Sequence, residues 1–337
     1  MPSSPSLARR RALERLASER YDLLVVGGGI TGAGIARDAA LRGLRTALVE
    51  RADFGGGTSS RSSRLVHGGV RYLEHGQIGL VFEASRERAR LLRLAPHVVR
   101  PLAFTWPVYR GARVPRWKLG VGLWLYDALA RFRNVGRHER LTAADVLRAE
   151  PRLRPDGLVG GARYWDAATD DARLTLLTAL GALEAGATVV NHAEVAELLR
   201  RDGRTRGAVV RDRITGEERP VSATIVVNAT GPWTDALLRL DGASVSSLVR
   251  GTKGVHVLVP RERVGNVAAV TLVSAVDGRV MFVLPAGPFA LIGTTDTPTV
   301  MPPDQVRATA ADVEYLLASA NATFPDARLT GEDVISA

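Results

Sequence analysis

A glycine-rich segment near the start of the chain has the residue types and spacing that bind a dinucleotide. It is the hexapeptide GGGITG, which starts at Gly27 and fits the pattern G-x-G-x-x-G. In this pattern Gly27 permits a tight turn, Gly29 lets a pyrophosphate approach the backbone, and Gly32 lets a helix pack closely on a strand. The segment therefore predicts a phosphate site at a helix N-terminus, with Ile30 and Thr31 in the first turn of that helix.

A second segment, residues 66–76, surrounds a glycine pair with polar groups. Its sequence, VHGGVRYLEHG, holds two histidines, one arginine and one tyrosine within eleven residues. No regular helix or strand needs that mixture, and loops carry binding and catalytic residues more often than the elements that they connect. The segment is a candidate site, with an ordinary hydrogen-bonded loop as the alternative.

The residues around the first motif predict the β-α-β unit that must position it. Tyr21 to Val26 is an apolar run typical of a buried parallel strand, and Ile30 to Arg42 has small residues at helical spacing. Gly43 ends that helix, and Leu44 to Glu50 forms a second strand. Glu50 then stands where an acidic residue accepts hydrogen bonds from an adenosine ribose. Together these features favour a bound dinucleotide over a glycine turn without a ligand.

A second glycine turn bears on which dinucleotide is bound. Residues 224–233, TIVVNATGPW, form a buried strand that runs into Ala229, Thr230 and Gly231. Such a turn closes over the same ligand from a neighbouring strand. One glycine turn suits NAD or FAD, whereas two turns in separate segments favour FAD. A plain turn at a strand end is the alternative.

Composition bounds the class of protein. The chain has 337 residues, enough for two compact domains or one two-lobed unit. It has no cysteine, which excludes disulfides, thiolate catalysis and cysteine-based metal sites, and its six histidines show no ligand spacing. We therefore predict no metal. The sequence has no apolar run long enough to span a membrane, and residues 1–20 lack the apolar centre of a signal peptide. We expect residues 1–20 to form a basic tail or a short surface helix. The expected location of the protein is the cytoplasm.

The net charge of +10 comes almost wholly from arginine. Only Lys118 and Lys253 are lysines, so 45 − 2 = 43 basic residues are arginine. An arginine-favouring nucleotide composition accounts for such a bias. The functional explanations are an anionic substrate, an anionic membrane surface or nucleic acid. We predict no nucleic-acid binding, because the arginines are spread along the chain without the usual motifs.

Four stretches in this order give a specific resemblance. They are GGGITGAGIARDAALRGL, TSSRSSRLVHGGVRYLEHG, NATGPW and IGTTDT. The sequence resembles the FAD-dependent glycerol-3-phosphate dehydrogenases of the DAO-type flavoprotein family, from about Tyr21 to the last residue. The resemblance implies an α/β fold with a Rossmann-like FAD domain of the glutathione-reductase type and a mainly antiparallel-sheet substrate or cap domain. We place the FAD domain at residues 21–86 and 156–245, and the substrate domain at 87–155 and 246–337.

The resemblance also assigns roles to residues. In that family the serine-rich and His-Gly-Gly stretch lies beside the flavin ring. The side chains and backbone expected to contact the cofactor there are those of Thr58, Ser59, Ser60, Ser63, His67, Gly68 and Gly69. Val195 is a further cofactor-binding candidate.

The substrate side is implied in the same way. Arg71 and Tyr72 would face the substrate, and the planar fork of Arg71 suits a phosphate. His256 would lie near the substrate carbon as a candidate base, because an imidazole titrates close to neutral pH. Lys253, Thr294 and Thr295 would line the substrate pocket. A surface ion pair for Arg71 and a structural role for His256 are the alternatives.

The implied reaction is oxidation of sn-glycerol 3-phosphate to dihydroxyacetone phosphate by hydride transfer to FAD. The usual acceptor of the electrons in the family is a membrane quinone, with oxygen in a minority. Residues 115–133 are apolar and aromatic with basic flanks, which is typical of a segment in a bilayer interface or of an ordinary packed helix. We therefore expect a peripheral membrane enzyme at the cytoplasmic face; the oligomeric state stays open.

Two other functions stay open on the sequence. One is a related FAD-dependent amino-acid or hydroxy-acid oxidoreductase, and the other is an inactive flavoprotein fragment. The family pattern continues past Ala337 with a substrate-binding arginine, a flavin-binding segment and a helical region. We therefore expect a truncated chain whose hold on FAD is weakened.

Overall fold

The computed structural model describes residues 5–130, 135–242 and 247–337, except for the side chains of Pro5, Ser6, Arg71, Glu74 and His75. It divides into two compact units. The first unit comprises the residues up to Ser62 together with Asp170–Gly251, and the second comprises Ser63–Thr169 and Thr252–Ala337.

Both helices and strands run along the whole of the described chain. The helices are α1 Pro5–Ser18, α2 Ile30–Leu41, α3 Ile78–Leu94, α4 Arg116–Leu129, α5 Ala143–Ala149, α6 Asp171–Glu184, α7 Thr234–Leu240, α8 Arg261–Val264 and α9 Ala310–Thr323. The strands are β1 Arg20–Val26, β2 Thr46–Val49, β3 Leu65–Val66, β4 Val99–Tyr109, β5 Glu139–Leu141, β6 Leu158–Thr169, β7 Thr188–Val190, β8 Ala193–Arg201, β9 Arg204–Asp212, β10 Glu218–Asn228, β11 Thr252–Lys253, β12 His256–Pro260, β13 Ala269–Val273, β14 Val280–Ala286, β15 Phe289–Gly293 and β16 Thr297–Pro298.

The first unit is built on a mixed sheet with the strand order β7-β2-β1-β10-β9-β8. Its first four strands are parallel, and β9 and β8 extend it as an antiparallel meander. The register sets Val26 beside both Val49 and Asn228, so β1, β2 and β10 end together. Ligands bind at this carboxyl edge in open α/β sheets. The predicted β-α-β unit is confirmed, with α2 connecting β1 to β2.

Small side chains let the helices of this unit lie close to the sheet. Ala33 and Ala36 of α2 are fully buried against Val25 and Leu48, and Ala179 and Ala182 of α6 join the same core. A second core on the other side of the strands includes Tyr21, Leu24 and Val221. Alanine and glycine on one helix face permit this close approach without leaving a void.

The basic segment at the start of the chain is a packed helix, which corrects our expectation of a basic tail. Leu13 and Leu16 of α1 are buried in the core with Tyr21 and Leu24. Arg9 of α1 forms an ion pair with Asp212 at 2.6 Å. The prediction followed the arginine-rich composition and did not weigh two apolar residues, three positions apart, that pack this helix on the sheet.

The second unit contains a large sheet with the strand order β12-β15-β14-β13-β4-β6-β3, with β5 also paired to β6. It is antiparallel except where β13 lies parallel to β4. The predicted combination of an α/β unit with a mainly antiparallel sheet is thereby confirmed. One core packs α9 on one part of the sheet, and another packs α4 on β4 and β6.

Residues 63–86 and 156–169 are placed differently from our expectation. The sequence assigned them to the nucleotide-binding domain, whose predicted boundaries were 86, 155 and 245. In the structure β6 pairs with β4, and β3 pairs with β6, which brings both segments into the second unit. The unit to which the segment around β3 belongs depends on the strand that β3 pairs with. The sequence does not reveal that strand, because a two-residue strand carries almost no periodic signal of its own.

Neither a membrane span nor a metal cluster is found among the described residues. No helix in this part of the chain has both the length and the hydropathy to cross a bilayer. Over the same residues, His, Asp and Glu side chains nowhere gather in a group of three or more that could hold a metal ion.

Candidate functional site

The glycine segment of the first unit forms a cradle in which side chains have no room. Gly27 adopts φ +109°, and a Cβ added to it would lie 2.5 Å from the carbonyl oxygen of Ala229. A Cβ on Gly32 would lie 1.8 Å from the carbonyl oxygen of Gly27. The N–H of Ala229 donates to the carbonyl of Val26 at 2.9 Å. The two predicted glycine turns are therefore in direct contact.

The N-terminus of α2 opens from this cradle. Gly29 is its N-cap in extended conformation and offers no side-chain cap, and the first turn has no acidic residue. Ile30 and Thr31 are exposed there. The N–H of Ile30 donates to Ser59 Oγ at 2.9 Å. An uncapped helix start beside glycines suits an anionic phosphate, since its N–H groups and dipole both favour negative charge.

Glu50 lies at the carboxyl end of β2, as predicted. Its two carboxylate oxygens accept hydrogen bonds from the N–H of Gly28 at 2.7 Å and from the N–H of Ala52 at 2.8 Å. An ionised carboxylate has about four lone-pair positions, so each oxygen keeps the capacity to accept a ribose hydroxyl. The glycine cradle, the uncapped helix and this acid together fit the dinucleotide part of FAD.

The other cofactor candidates of the first unit lie near these elements or on its sheet. Thr58, Ser59 and Ser60 form a short 3₁₀ helix, and Thr230 hydrogen-bonds Asn228 Oδ1 through its hydroxyl at 2.6 Å. Gly231 has φ +55°. Val195 lies on β8, where its side chain packs against the sheet core. These positions agree with a role in cofactor binding, which stays a prediction for each residue.

Trp233 is a residue of this region that the sequence motifs did not single out, although it ends the NATGPW stretch. The guanidinium carbon of Arg51 lies 4.4 Å from the centre of its ring. A Cβ on Gly57 would lie 2.9 Å from Trp233 Cζ3. The indole therefore covers the loop between β2 and the Thr58–Ser60 helix. The sequence could have indicated this residue, because a tryptophan that directly follows a glycine turn lies close to the proposed ligand.

In the second unit, Ser63 and His256 are hydrogen-bonded. Ser63 Oγ lies 2.9 Å from Nε2 of His256, and both residues are half-buried. His256 begins β12 and lies opposite Gly293 of β15, where a Cβ would come within 2.3 Å of the imidazole Cδ2. The missing side chain at Gly293 makes space for the imidazole. Ser63, expected to bind the cofactor, is thus also a partner of the candidate base.

The His-Gly-Gly segment follows β3 in the same unit. Gly69 has φ +74° and caps the 3₁₀ helix Val70–His75, and a Cβ there would lie 2.3 Å from Tyr72 Cδ2. The rings of His67 and Tyr72 stack with centroids 6.4 Å apart. The backbone of Arg71 lies in this 3₁₀ helix, and its side chain lies outside the described part. Gly68 is buried and contacts a cluster of polar side chains.

The remaining substrate candidates have structural partners in this unit. Lys253 forms an ion pair with Asp312, which also caps α9 through Thr309. Burial by itself raises the pKa of Asp312, but the hydrogen bonds from Lys253 and Thr309 outweigh it and leave that pKa below its usual value. Thr295 is buried and its hydroxyl accepts from the N–H of Val255 at 2.9 Å. Substrate binding by Lys253 and Thr295 stays a prediction.

Thr294 is more accessible than its neighbour. Its side chain is half-buried, and its hydroxyl donates to the carbonyl of Thr295 at 3.0 Å. A Cβ on Gly254 would lie 3.0 Å from Thr294 Oγ1. The second unit thus brings together Ser63, His256, Gly293 and Thr294 along β12 and β15, an arrangement able to accept a proton and to hydrogen-bond a hydroxyl.

Comparison with known proteins agrees with this geometry. Residues 22–337 match the family described as FAD dependent oxidoreductase. The chain is 44% identical over 321 residues to glycerol-3-phosphate dehydrogenase 2 of Mycobacterium tuberculosis, covering 94% of this chain and 54% of that protein. It is 40% identical over 331 residues to the aerobic glycerol-3-phosphate dehydrogenase of Bacillus subtilis, covering 98% and 60%.

A solved structure is similar as well. The glycerol-3-phosphate dehydrogenase of Bacillus halodurans, complexed with FAD, superposes with a TM-score of 0.82 at 36% identity. The match covers 98% of this chain and 58% of that one. The chain therefore spans a little over half the length of the relatives that it matches. With the family match over residues 22–337, this shows that the chain belongs to the FAD-dependent oxidoreductases.

Proposed function

We propose that this chain forms the FAD-binding and catalytic part of an enzyme that oxidises sn-glycerol 3-phosphate to dihydroxyacetone phosphate. The observation that carries the proposal is the 44% identity, over 94% of the chain, to a protein named glycerol-3-phosphate dehydrogenase. Bound FAD supplies the hydride acceptor, which no amino-acid side chain provides. The residues of the first unit would hold it: the glycine cradle and the start of α2 the pyrophosphate, and Glu50 the ribose.

In the second unit, His256 is the proposed base. Oxidation of the C2 hydroxyl breaks an O–H and a C–H bond, so a group must take the hydroxyl proton while the hydride leaves carbon. The imidazole of His256 is half-buried and its Nε2 is hydrogen-bonded to Ser63. That bond fixes the orientation of the ring, and a serine hydroxyl can act as donor or acceptor as the imidazole changes protonation.

The phosphate of the substrate requires a cationic partner. Arg71 follows the buried glycine pair and occupies the second position of a 3₁₀ helix, so its Cα is fixed by a closed turn. We propose that its guanidinium binds the phosphate in two parallel hydrogen bonds, and that Tyr72 and Thr294 contact the glycerol hydroxyls. Tyr72 is held by its ring stack on His67.

A dye-reduction assay tests the activity. The purified chain is reconstituted with FAD and given an artificial electron acceptor, with sn-glycerol 3-phosphate, glycerol, a hydroxy acid or an amino acid as substrate. We expect reduction with the phosphorylated substrate alone, and we expect Arg71→Ala to raise KM at least tenfold for it. Reduction by an amino acid or hydroxy acid, with KM unchanged in Arg71→Ala, would favour a related oxidoreductase. Bound FAD without any turnover would indicate a non-catalytic chain.

We also propose that the protein binds an anionic membrane surface and passes its electrons to a membrane quinone. The support is α4, which has two different faces. Leu119 and Leu123 are buried in the core of the second unit. Trp117, Val121 and Trp124 are 70%, 59% and 59% exposed, and they recur at spacings of four and three residues. One helical stripe of this kind can enter the headgroup region without crossing the bilayer.

The charges around this stripe favour anionic lipid. Arg116 and Lys118 lie in the first turn of α4 beside Trp117. Basic side chains near a membrane surface gain about 1 kcal/mol each from anionic lipid, and indole rings prefer the interface. The proposal places the enzyme at the cytoplasmic face of the membrane, near the quinone pool.

Liposome flotation tests the membrane proposal. We expect the protein to float with vesicles rich in phosphatidylglycerol and to stay behind with purely zwitterionic vesicles. Trp117→Ser with Trp124→Ser should reduce the floated fraction at least fivefold. Leu180→Ser is the matched control, because Leu180 is also an exposed apolar residue on a helix, at 42% exposure, but lies in the first unit. Equal flotation of both variants and the unaltered protein would contradict a role for α4.

A further inference from the structure

A buried polar cluster lies directly against the His-Gly-Gly segment of the second unit. Its centre is Asp166 of β6, which is 3% exposed. Asp166 Oδ1 accepts a hydrogen bond from the backbone N–H of Gly68 at 3.0 Å. A carboxylate on the sheet is thereby joined to the backbone of the segment that we assign to the active site.

Two helices hold this carboxylate from other sides. Tyr126 of α4 donates its hydroxyl hydrogen to Asp166 Oδ1 at 2.7 Å. Arg88 of α3, 2% exposed, forms an ion pair with the same oxygen and donates to Tyr126 Oη at 2.6 Å. The guanidinium carbon also lies 5.3 Å from the centre of the Tyr126 ring. Two helices and the backbone N–H of Gly68 therefore converge on one oxygen atom of β6.

The glycine backbone has no clearance from the cluster. A Cβ on Gly68 would lie 2.3 Å from Tyr126 Oη and 2.4 Å from Ser85 Oγ. Any shift of Tyr126 or Ser85 toward the segment would displace the backbone, and any loss of the Asp166 bond would release it. The position of His67 and Gly69 on either side follows the position of Gly68.

The cluster consists of charged and polar side chains in a position where apolar side chains would be expected. A buried ion pair contributes little net stability, because desolvation of both charges offsets their attraction. Apolar side chains would fill the same space at least as well. A hydrogen-bonded carboxylate does what apolar packing cannot, since it fixes a neighbouring N–H in distance and direction.

We propose that Asp166, oriented by Arg88 and Tyr126, is a positioning residue for the reaction: it sets the backbone of His67–Gly69 in the conformation needed for catalysis. The inference rests on the proposed function, because it takes the segment around Gly68 as part of the active site. Asp166 is buried and acts through the segment, without touching the substrate. Loss of its restraint should therefore lower kcat. Because His67 stacks on the proposed substrate contact Tyr72, it should also raise KM for sn-glycerol 3-phosphate.

The test uses Tyr126→Phe, which removes one hydrogen bond from Asp166 without leaving a charge unpaired. Tyr164→Phe is the matched control. Tyr164 is also a buried tyrosine of the same core, its ring lies 6.4 Å from that of Tyr126, and its hydroxyl bonds Thr271 at 3.1 Å. Both variants lose one buried hydroxyl, but Tyr126→Phe should lower the unfolding temperature more, because the Tyr126 hydroxyl bonds the charged Asp166 and Arg88 whereas that of Tyr164 bonds Thr271.

Two readouts separate positioning from a general structural effect. Amide hydrogen exchange over residues 66–73 should become at least fivefold faster in Tyr126→Phe and stay unchanged in Tyr164→Phe. The kcat for sn-glycerol 3-phosphate should fall at least fivefold in Tyr126→Phe alone, and any rise in KM should be confined to that variant. Exchange at the unaltered rate overturns the proposal, whether or not the protein is active. Faster exchange with unchanged kcat also overturns it.

A second pair of variants isolates the acceptor oxygen. Arg88→Met with Asp166→Asn and Arg88→Met with Asp166→Ala both remove the two buried charges, but only the first keeps a carbonyl that can accept from Gly68. We expect kcat of the first to be at least fivefold higher than kcat of the second. Equal kcat in the two would overturn the proposal. If the unaltered enzyme reduces no dye with sn-glycerol 3-phosphate, the proposed function fails, and the exchange rates alone then decide whether Asp166 holds the segment.

Discussion

At Gly32, the lack of a side chain allows α2 to contact the turn at Gly27 in the first unit. It lies inside α2, where alanine would ordinarily be the better residue by about 0.5–1 kcal/mol. Its hypothetical Cβ would lie 1.8 Å from the carbonyl oxygen and 3.0 Å from the carbonyl carbon of Gly27, both of which are backbone atoms. The glycine is therefore required by the contact between helix and turn.

We expect Gly32→Ala to lower the stability of the first unit by about 1–3 kcal/mol, as overpacking does, and to abolish retention of FAD on desalting. Gly34→Ala is the control, because Gly34 lies in the same helix with nothing within 4 Å of its hypothetical Cβ. It should leave FAD retention unchanged. Thermal unfolding and flavin absorbance measure both effects, and normal FAD retention in Gly32→Ala would contradict the cradle.

Ser63 has two proposed roles, orienting His256 and binding the cofactor, and one substitution distinguishes them. If it acts mainly through His256 Nε2, then Ser63→Ala lowers kcat about tenfold and leaves FAD content unchanged, because one hydrogen bond to the base is lost. If it mainly binds cofactor, FAD content falls first. We expect the former result from steady-state kinetics and flavin absorbance. Ser18→Ala is the control, because Ser18 lies in α1 and its hydroxyl donates to the carbonyl of Glu14.

At the scale of elements, α1 and α4 show how a helix with many basic residues can be anchored or left open. The arginines of α1 surround two buried leucines, and Arg9 reaches Asp212 on β9. In α4 the buried leucines and Tyr126 contact the core and the Asp166 cluster, while the two tryptophans remain exposed. The same helix thus carries a positioning contact on one face and the proposed membrane contact on the other.

The anchor of α1 should depend on pH. Burial alone raises the pKa of Asp212, but hydrogen bonds from the N–H of Ile214, from Arg9 and from Thr215 outweigh it, so that its pKa lies below the usual value. The stabilisation is therefore complete above the unfolded pKa of about 4 and is lost as the pH falls through the lower folded pKa.

We expect Asp212→Asn to destabilise the protein by about 1.5–3 kcal/mol at pH 7, the range for hydrogen bonds to a charged group. The difference from the unaltered protein should shrink as the pH falls below about 4. Asp202→Asn is the control, since the Asp202 side chain is 93% exposed. Urea unfolding at several pH values measures this, and a constant difference down to pH 2 would be inconsistent with the pKa shift.

At the scale of the whole molecule, the two units have separate hydrophobic cores and separate parts of the proposed chemistry. The glycine cradle, the start of α2 and Glu50 all belong to the first unit, whereas Ser63, His256 and Asp166 belong to the second. The adenosine and pyrophosphate groups therefore have their predicted contacts within one unit.

This division predicts that ADP alone stabilises the protein. A ligand at 100 times its Kd adds about 2.7 kcal/mol to the folded state that binds it, which corresponds to about 5 °C or more in unfolding temperature. We expect such a shift with ADP or FAD and none with riboflavin at the same concentration. Gly32→Ala should abolish it. A shift with riboflavin but not with ADP would place the dominant contacts elsewhere.

The sequence alone was sufficient for the features that depend on local spacing. The glycines around Gly27, the apolar run of β1, the small-residue face of α2 and the acid at Glu50 are each written in consecutive residues, and the structure has the corresponding β-α-β unit. The resemblance to a flavoenzyme family rested on short motifs of the same kind and is confirmed by the family match. Local steric and hydrogen-bonding requirements leave direct signatures in the sequence.

The tertiary structure decided what depends on residues far apart in the chain. The Ser63–His256 bond spans 193 positions, and the bond from Gly68 to Asp166 spans 98. The pairing of β3 with β6 moved residues 63–86 to the second unit, and two leucines turned a basic segment into a packed helix. No local pattern encodes such contacts, because a side chain's partner is set by the packing of the whole sheet and its helices, to which every element contributes.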